Sequence, residues 1–472
     1  MGGFFGVAST QDCVAELFYG TDYHSHLGTR RAGMVVRGGD GFKRFIHDIS
    51  NTQFRAKFED HLPELHGTQG IGVISDYEDQ PLLIGSHHGL YGIVTVGRVL
   101  NIEELATKAF RDHSGHLSEI SGSEFNATEV VATLINEGKT FEEGIRHAQD
   151  VIEGSCTLML LTKKGLYVAR DKLGRTPVVI GKKPGAYAAT MESCSLPNLG
   201  FTTERYLGPG EIVRLSPEGI EQLAPPGDQM QICTFLWVYY GFPASTYEDI
   251  NVEAARNRCG VALARADDTE VDFVAGIPDS GIGHAIGYAA EKNLPYRRPF
   301  VKYTPTWPRS FMPQEQRVRD LVARMKLIPI RELIEGNRLL FCEDSIVRGT
   351  QLRDIIQRLF DYGAKEIHMR PACPPLVHSC KYLNFSQSKS ELDLAARKAV
   401  MTLERNPEDH LDDYANPSTR RYARMIDHIG DQLGLTSLKY QRLEDMVEAI
   451  GLPRDKVCTY CWNGCEGNGC QG

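Results

Sequence analysis

Hydrophobic and polar positions change rhythm along this chain. From about Glu270 onward, short apolar and β-branched runs alternate with segments of helical spacing, the pattern of a parallel sheet whose strands are joined by crossover helices. Asp272–Ile277 reads as one such strand, broken by Pro278-Asp279-Ser280-Gly281 just before a helix that begins near Gly283. Leu339–Cys342 reads as another, buried on both faces, and it runs into two adjacent acids, Glu343 and Asp344. A small polar turn, Ser345-Ile346-Val347-Arg348-Gly349-Thr350, separates those acids from Gln351–Tyr362, which has helical spacing. At the other end of the chain, Phe4 and Phe5 open what reads as a buried strand. A charged stretch from about Ser386 to Arg424 has helical spacing over Ser390–Glu404, and its plainest reading is a solvated helical hairpin, with an oligomer or partner contact as the other.

The acids after Leu339–Cys342 stand at the carboxyl end of a strand, where open α/β sheets bind ligands. The turn that follows would aim backbone N–H groups and hydroxyls at an anion held on a helix N-terminus. Acids suited to ribose hydroxyls and a cradle suited to phosphate therefore stand side by side. Taken alone, the same residues also describe a strand-to-helix turn with two solvated acids.

The whole string Leu339–Thr350 resembles the phosphoribosylpyrophosphate (PRPP) motif of type I phosphoribosyltransferases, and its Ser-Ile-Val-Arg-Gly-Thr ending resembles the glutamine PRPP amidotransferase (amidophosphoribosyltransferase) family. Glu343 stands where an Asp is more usual, and Gln351 where a Thr is. Gly276–Gly281 matches that family's pyrophosphate loop residue for residue, which implies PRPP contacts from Pro278, Asp279, Ser280 and Gly281. Lys302–Lys326 is similar to its flexible catalytic loop through Arg309-Ser310-Phe311 and Arg324-Met325-Lys326-Leu327, although Tyr303–Pro308 departs from it with two prolines and a Trp. The implied chemistry displaces pyrophosphate from C1 of the ribose with a nitrogen nucleophile. Arg309, Arg324 and Lys326 are then the expected catalytic cations, Asp279, Glu343 and Asp344 the expected Mg²⁺ ligands, and Ser345, Ile346, Val347, Arg348, Gly349 and Thr350 the 5-phosphate loop.

Composition narrows the setting. A net charge of −9 over 472 residues, with no long basic stretch, argues against a nucleic-acid partner. No run of about twenty apolar residues exists to span a membrane, and no basic segment leads into an apolar one near Met1, so the expectation is a cytoplasmic protein. Twelve cysteines in such a compartment are thiols or metal ligands rather than disulfides. Cys13, Cys156, Cys194, Cys259, Cys342 and Cys373 read as core residues, and Cys458-x-x-Cys461 is by itself half a metal site, with Cys465 and Cys470 left over as thiols. The resemblance supplies the rest: one branch of the family carries a [4Fe–4S] cluster on a Cys opening the second domain, a Cys after a Pro-Pro segment, and a C-terminal pair. Cys233, Cys380, Cys458 and Cys461 occupy those places, and zinc would accept the same four thiolates.

Residues 1 to about 230 are similar to the N-terminal-nucleophile glutaminase domain of the family, through Gly3, Gly6, Arg170–Pro177 and Leu207–Glu211. The implied fold is an αββα sandwich over 1–230 followed by a type I phosphoribosyltransferase parallel-sheet domain with a cysteine-bearing tail over 231–472. The glutaminase chemistry is not carried over. It needs a Cys at the mature N-terminus, and Gly2 stands there; Cys13 lacks the Gly that follows the family's Cys and lies past the first strand. Ser75 replaces the Arg that clamps the glutamine carboxylate, Ala127 the Asp that receives the substrate amine, and Val96 the Asn of the oxyanion hole, a donor worth about 3 kcal/mol in comparable sites.

The expectation is an amidophosphoribosyltransferase-like enzyme of purine biosynthesis that binds PRPP and Mg²⁺ and makes 5-phosphoribosylamine from ammonia, free or delivered by a partner glutaminase. The family also implies purine nucleotide regulators and a homo-oligomer. A different class of protein, a non-catalytic paralogue that senses PRPP or nucleotides beside an active amidotransferase, is motivated by the altered 303–308 loop and the 386–424 stretch. Phosphoribosyl transfer to another nitrogen nucleophile is a third reading.

Overall fold

The computed structural model describes residues 2–113, 120–121, 124–303, 327–383, 391–404, 406, 408 and 410–465. Two antiparallel sheets form the first half of the chain. The first has seven strands in the order Thr202–Tyr206, Val179–Lys183, Ala186–Thr190, Gly3–Ser9, Gln69–Ser75, Arg31–Gly38, Gly41–Asp48. The second has six, in the order Gly219–Ala224, Ile212–Ser216, Gly165–Ala169, Gly154–Thr162, Gly89–Val99, Leu82–Ser86.

The alternation of side chains along a strand explains how these sheets stack. On Gly3–Ser9, Phe4 and Ala8 point into the layer shared with Val73, Val94, Met159, Leu161 and Val168. Phe5 and Val7 point the other way, onto Val14, Leu17 and Phe18 of helix Val14–Asp22. The outer face of the second sheet, through Tyr91, Ile93, Leu158 and Leu160, is covered by Val131, Ile135 and Ile145 of helices Ala127–Ile135 and Phe141–Val151. The arrangement is an αββα sandwich.

Beyond it lies a parallel sheet in the order Phe273–Gly276, Arg338–Glu343, Glu366–Pro371, Ser437–Leu438. Phe273, Ala275, Leu339, Phe341, Ile367 and Met369 face a core shared with helices Thr350–Asp361, Ala395–Leu403 and Arg420–Leu433. Val274, Leu340 and Cys342 face helices Val252–Arg265 and Gly281–Lys292. Helices on both faces of parallel strands are what the sequence pattern predicts. The helix after the first strand starts at Gly281, two residues before the expected position, and Gly281 packs against the neighbouring strand, where a Cβ would lie 2.3 Å from the Cys342 carbonyl oxygen.

The solvated hairpin expected between Ser386 and Arg424 is not what forms. The described part is helical, but Ala395, Ala396, Arg397, Ala399 and Val400 are buried, as are Tyr414, Met425, Ile426 and Ile429. The segment packs on the parallel sheet as part of the connection between Glu366–Pro371 and Ser437–Leu438. Its charges misled because a small-residue face of Ala and Val suffices to bury a helix against a sheet.

Candidate functional site

Parallel pairing of Phe273–Gly276 with Arg338–Glu343 puts Gly276 opposite Cys342, so both strands end at the same edge and release their loops side by side. The loop carrying Pro278, Asp279, Ser280 and Gly281 thus meets the loop carrying Glu343 and Asp344. The Pro278–Asp279 peptide is cis. Two hydroxyls converge on Asp344, which is 4% exposed: Ser280 donates from the first loop, and Ser345 donates to Oδ1 at 2.5 Å. Asp279 is exposed and paired with Lys302.

Glu343 turns inward. Its Oε1 accepts from the Asp344 N–H at 3.1 Å, and burial, reinforced by the neighbouring Asp344 charge, holds its carboxyl well above the usual range. The three acids expected to hold Mg²⁺ do not gather into one ion-binding group; among the described residues no three His, Cys, Asp or Glu do. Mg²⁺ is more often held by one or two carboxylates together with substrate phosphates than by a protein cage.

The turn from Ser345 to Thr350 is bent by Gly349, whose φ of 75° lies in the left-handed region, and it delivers Thr350 to the first position of helix Thr350–Asp361. Ile346 is buried in the sheet core, while Val347 packs on the core around Trp237. The Val347 carbonyl accepts from Ala395 N–H at 2.7 Å, and Arg348 reaches Asp393 at 4.0 Å. Residues just before and at the start of helix Ala395–Leu403 therefore brace this turn, a role the sequence reading did not assign to them. Arg309, Arg324 and Lys326 lie outside the described residues.

The four cysteines come together from three distant stretches. Ile232–Cys233 and Val457–Cys458 form a short parallel pair with Cys233 opposite Cys458. The Val377 and His378 amides both donate to the Cys461 carbonyl at 3.1 Å, which brings the Cys380 stretch alongside. One cavity is lined by Cys233, Cys380, Cys458 and Cys461 together with aromatic rings and Arg175. The Cys380 thiol beside it raises the Cys461 thiol, and burial raises Cys233 and Cys458, so a metal entering here displaces protons. Four thiols around one cavity are a donor set that either a [4Fe–4S] cluster or a zinc ion would accept. Cys465, expected as a free thiol, is half-buried and disulfide-bonded. Cys470 lies outside the described residues.

In the sandwich, the four altered positions are closed by neighbours. A Cβ on Gly2 would lie 2.3 Å from the Ile74 carbonyl oxygen. Ser75 Oγ accepts from the Tyr77 and Glu78 amides at 3.2 and 3.3 Å, Val96 is buried between the sheets, and Ala127 opens a helix whose first N–H groups are taken by the Glu78 carboxylate, at 2.8 Å from Ala127 N and 3.1 Å from Thr128 N. Burial raises the Glu78 carboxyl. Cys13 is buried, and burial pushes its thiol far up, the opposite of an activated nucleophile.

An N-terminal-nucleophile-type amidotransferase sandwich followed by a phosphoribosyltransferase-type parallel sheet is the architecture these features define, and comparison with known proteins agrees. Residues 69–196 match the model of a glutamine amidotransferase domain. The amidophosphoribosyltransferase of Bacillus subtilis is 28% identical over 98% of this chain and 93% of its own length, and the chloroplastic enzyme of Vigna aconitifolia is 33% identical over 78% of this chain and 76% of its own. The solved glutamine PRPP amidotransferase of B. subtilis, complexed with ADP and GMP, superposes with a TM-score of 0.84 at 27% identity, covering 98% of this chain and 96% of that one. A second solved structure, described as the allosteric regulatory enzyme of purine biosynthesis, gives 0.83. The chain belongs to the amidophosphoribosyltransferase family.

Proposed function

We propose that this protein is an ammonia-dependent amidophosphoribosyltransferase of purine biosynthesis, in which a glutaminase-like domain over residues 1–230 has lost its chemistry and a phosphoribosyltransferase domain over 231–472 retains it. The observation that carries the reading is the contrast between the two candidate sites. The PRPP-type loops abut at the ends of paired parallel strands and are linked by Ser280 and Asp344, whereas a side chain at position 2 would collide with the Ile74 backbone.

In this reading the turn from Ser345 to Thr350 holds the 5-phosphate on the helix N-terminus. Pro278–Gly281 holds the pyrophosphate, and Asp344 orients the ribose hydroxyls. Asp279 and Asp344 are the carboxylates that would hold Mg²⁺, which would supply charge neutralisation to the leaving group. Arg309, Arg324 and Lys326 are assigned to stabilise the departing pyrophosphate. Ammonia, with no proton to lose before attack, needs only access and alignment at C1.

Cys233, Cys380, Cys458 and Cys461 are assigned to a [4Fe–4S] cluster that ties the C-terminal tail to the body. Purine nucleotides, bound by the B. subtilis relative, are proposed regulators here too. The test is pyrophosphate release from PRPP by the full chain with Mg²⁺ and ammonium, run beside glutamate release from glutamine. Release that depends on ammonium, without glutamate, supports the reading. PRPP binding with no turnover of either kind overturns it in favour of a nucleotide-sensing paralogue.

A further inference from the structure

The cavity lined by the four cysteines has a wall from the other half of the chain. Arg175 belongs to the loop after strand Gly165–Ala169, yet its backbone carbonyl accepts from the Cys233 amide at 3.0 Å and its Nη1 donates to Cys458 Sγ at 3.0 Å. The guanidinium carbon stands over the Tyr382 ring, 3.4 Å from its centroid. Arg175 is 4% exposed, and its Nε is buried with no hydrogen-bond partner among the described residues. No carboxylate pairs with Arg175 among the ion pairs of the described residues. A guanidinium so placed is an unusual expense of desolvation. It is offset if the cavity holds something negative, and a cluster on four thiolates is negative overall. A charge-assisted hydrogen bond to a ligand sulfur, at low local dielectric, stabilises the more reduced and more negative state of such a centre.

We propose that Arg175 is a tuning and anchoring residue for the cysteine-bound cluster: its hydrogen bond to the Cys458 sulfur raises the cluster's reduction potential and slows its oxidative loss, tying the glutaminase-like half to the integrity of the centre. The inference rests on the cluster assignment above. Glutamine hydrolysis, lost from that half, leaves this contact as a retained use for it.

The measurement is made on anaerobically purified full chain. Iron and acid-labile sulfide are assayed first, and the one-electron midpoint potential is then titrated with dithionite as reductant, followed by electron paramagnetic resonance. Arg175→Met is expected to bind iron and sulfide yet to show an about tenfold lower ratio of reduced to oxidised cluster than wild type at the wild-type midpoint, a downward shift of about 59 mV for one electron. In air-saturated buffer its visible absorbance should decay several-fold faster than that of wild type, dioxygen being the oxidant. Arg175→Lys, which keeps the charge and gives up the planar fork, should fall between the two. A packing role alone, through Tyr382, would hasten decay and leave the potential where it was.

Should Arg175→Met not accumulate, Arg175→Gln, which keeps a donor and drops the charge, is read in the same way. Loaded variants with the wild-type potential would overturn the tuning role and leave the cluster assignment standing. Wild-type protein without iron and sulfide after anaerobic reconstitution would overturn both.

Discussion

Gly281 offers a sharp test of how the PRPP-type loops are held. It ends the loop proposed to hold the pyrophosphate and begins helix Gly281–Lys292, and it lies directly against the strand that carries the acids. An added Cβ would stand 2.3 Å from the Cys342 carbonyl oxygen and 3.3 Å from the Glu343 Cα. Ordinary carbon–oxygen contact needs roughly another ångström, and both obstacles are backbone, so Gly281→Ala must push the loop away from Glu343 and Asp344 by about that distance. Overpacking of this kind costs about 1–3 kcal/mol in stability. Misplacement by about 1 Å can cost a site a hundredfold, which corresponds to about 2.7 kcal/mol. The expected result is ammonium-dependent pyrophosphate release lowered about a hundredfold, with PRPP binding weakened by calorimetry and the far-ultraviolet spectrum unchanged. Gly85→Ala is the control, because a Cβ there meets nothing within 4 Å. If Gly281→Ala binds PRPP as wild type does, the loops are not held by this contact and the reasoning is refuted.

Other perturbations probe the remaining parts. Gly2→Cys should leave glutamine unhydrolysed and residue 2 unlabelled by a thiol-reactive glutamine analogue, since Ile74, Ser75 and Glu78 still close the pocket; an adduct at residue 2 by mass spectrometry would contradict this. Glu343, with its carboxyl held above the ordinary value near 4.5 by burial, lends stability that is complete below that value and is lost as pH rises through the folded-state pKa. Glu343→Gln cannot ionise, so its melting temperature should gain on wild type from pH 5 to pH 8 in scanning calorimetry, and a constant difference would exclude the mechanism. Ala395→Pro removes the donor to the Val347 carbonyl at a first-turn position that tolerates proline. It should weaken PRPP binding several-fold, the net value of one hydrogen bond of about 1 kcal/mol, with helicity retained.

The parts of this molecule legible in sequence are those where one local pattern has one structural outcome. Leu339–Cys342 is apolar on both faces and is followed by acids, a glycine turn and a helical period, and strand Arg338–Glu343 and helix Thr350–Asp361 follow within a residue at each end. The four cysteines were grouped through family resemblance, since their spacing alone leaves Cys233 and Cys380 unconnected to the tail. Features set by tertiary convergence left no local trace. Arg175 sits in a stretch recognisable only as a sandwich landmark, and its reach to Cys458 depends on the pairing of Ile232–Cys233 with Val457–Cys458. Glu78 is one acid in an acidic loop until helix Ala127–Ile135 places free N–H groups beside it. Helix Ala395–Leu403 is legible in its spacing, but its burial is masked by charge, because Arg397 is fully buried beside Ala396 and Val400. A count of charges assigns such a helix to solvent.

The central claim is that the transferase site works while the glutaminase-like half does not. It is tested most directly by supplying PRPP and Mg²⁺ with either ¹⁵N-ammonium or amide-¹⁵N-glutamine and reading the label in trapped 5-phosphoribosylamine by mass spectrometry. Label from ammonium and none from glutamine is the predicted result; label from glutamine with the chain acting alone would contradict it.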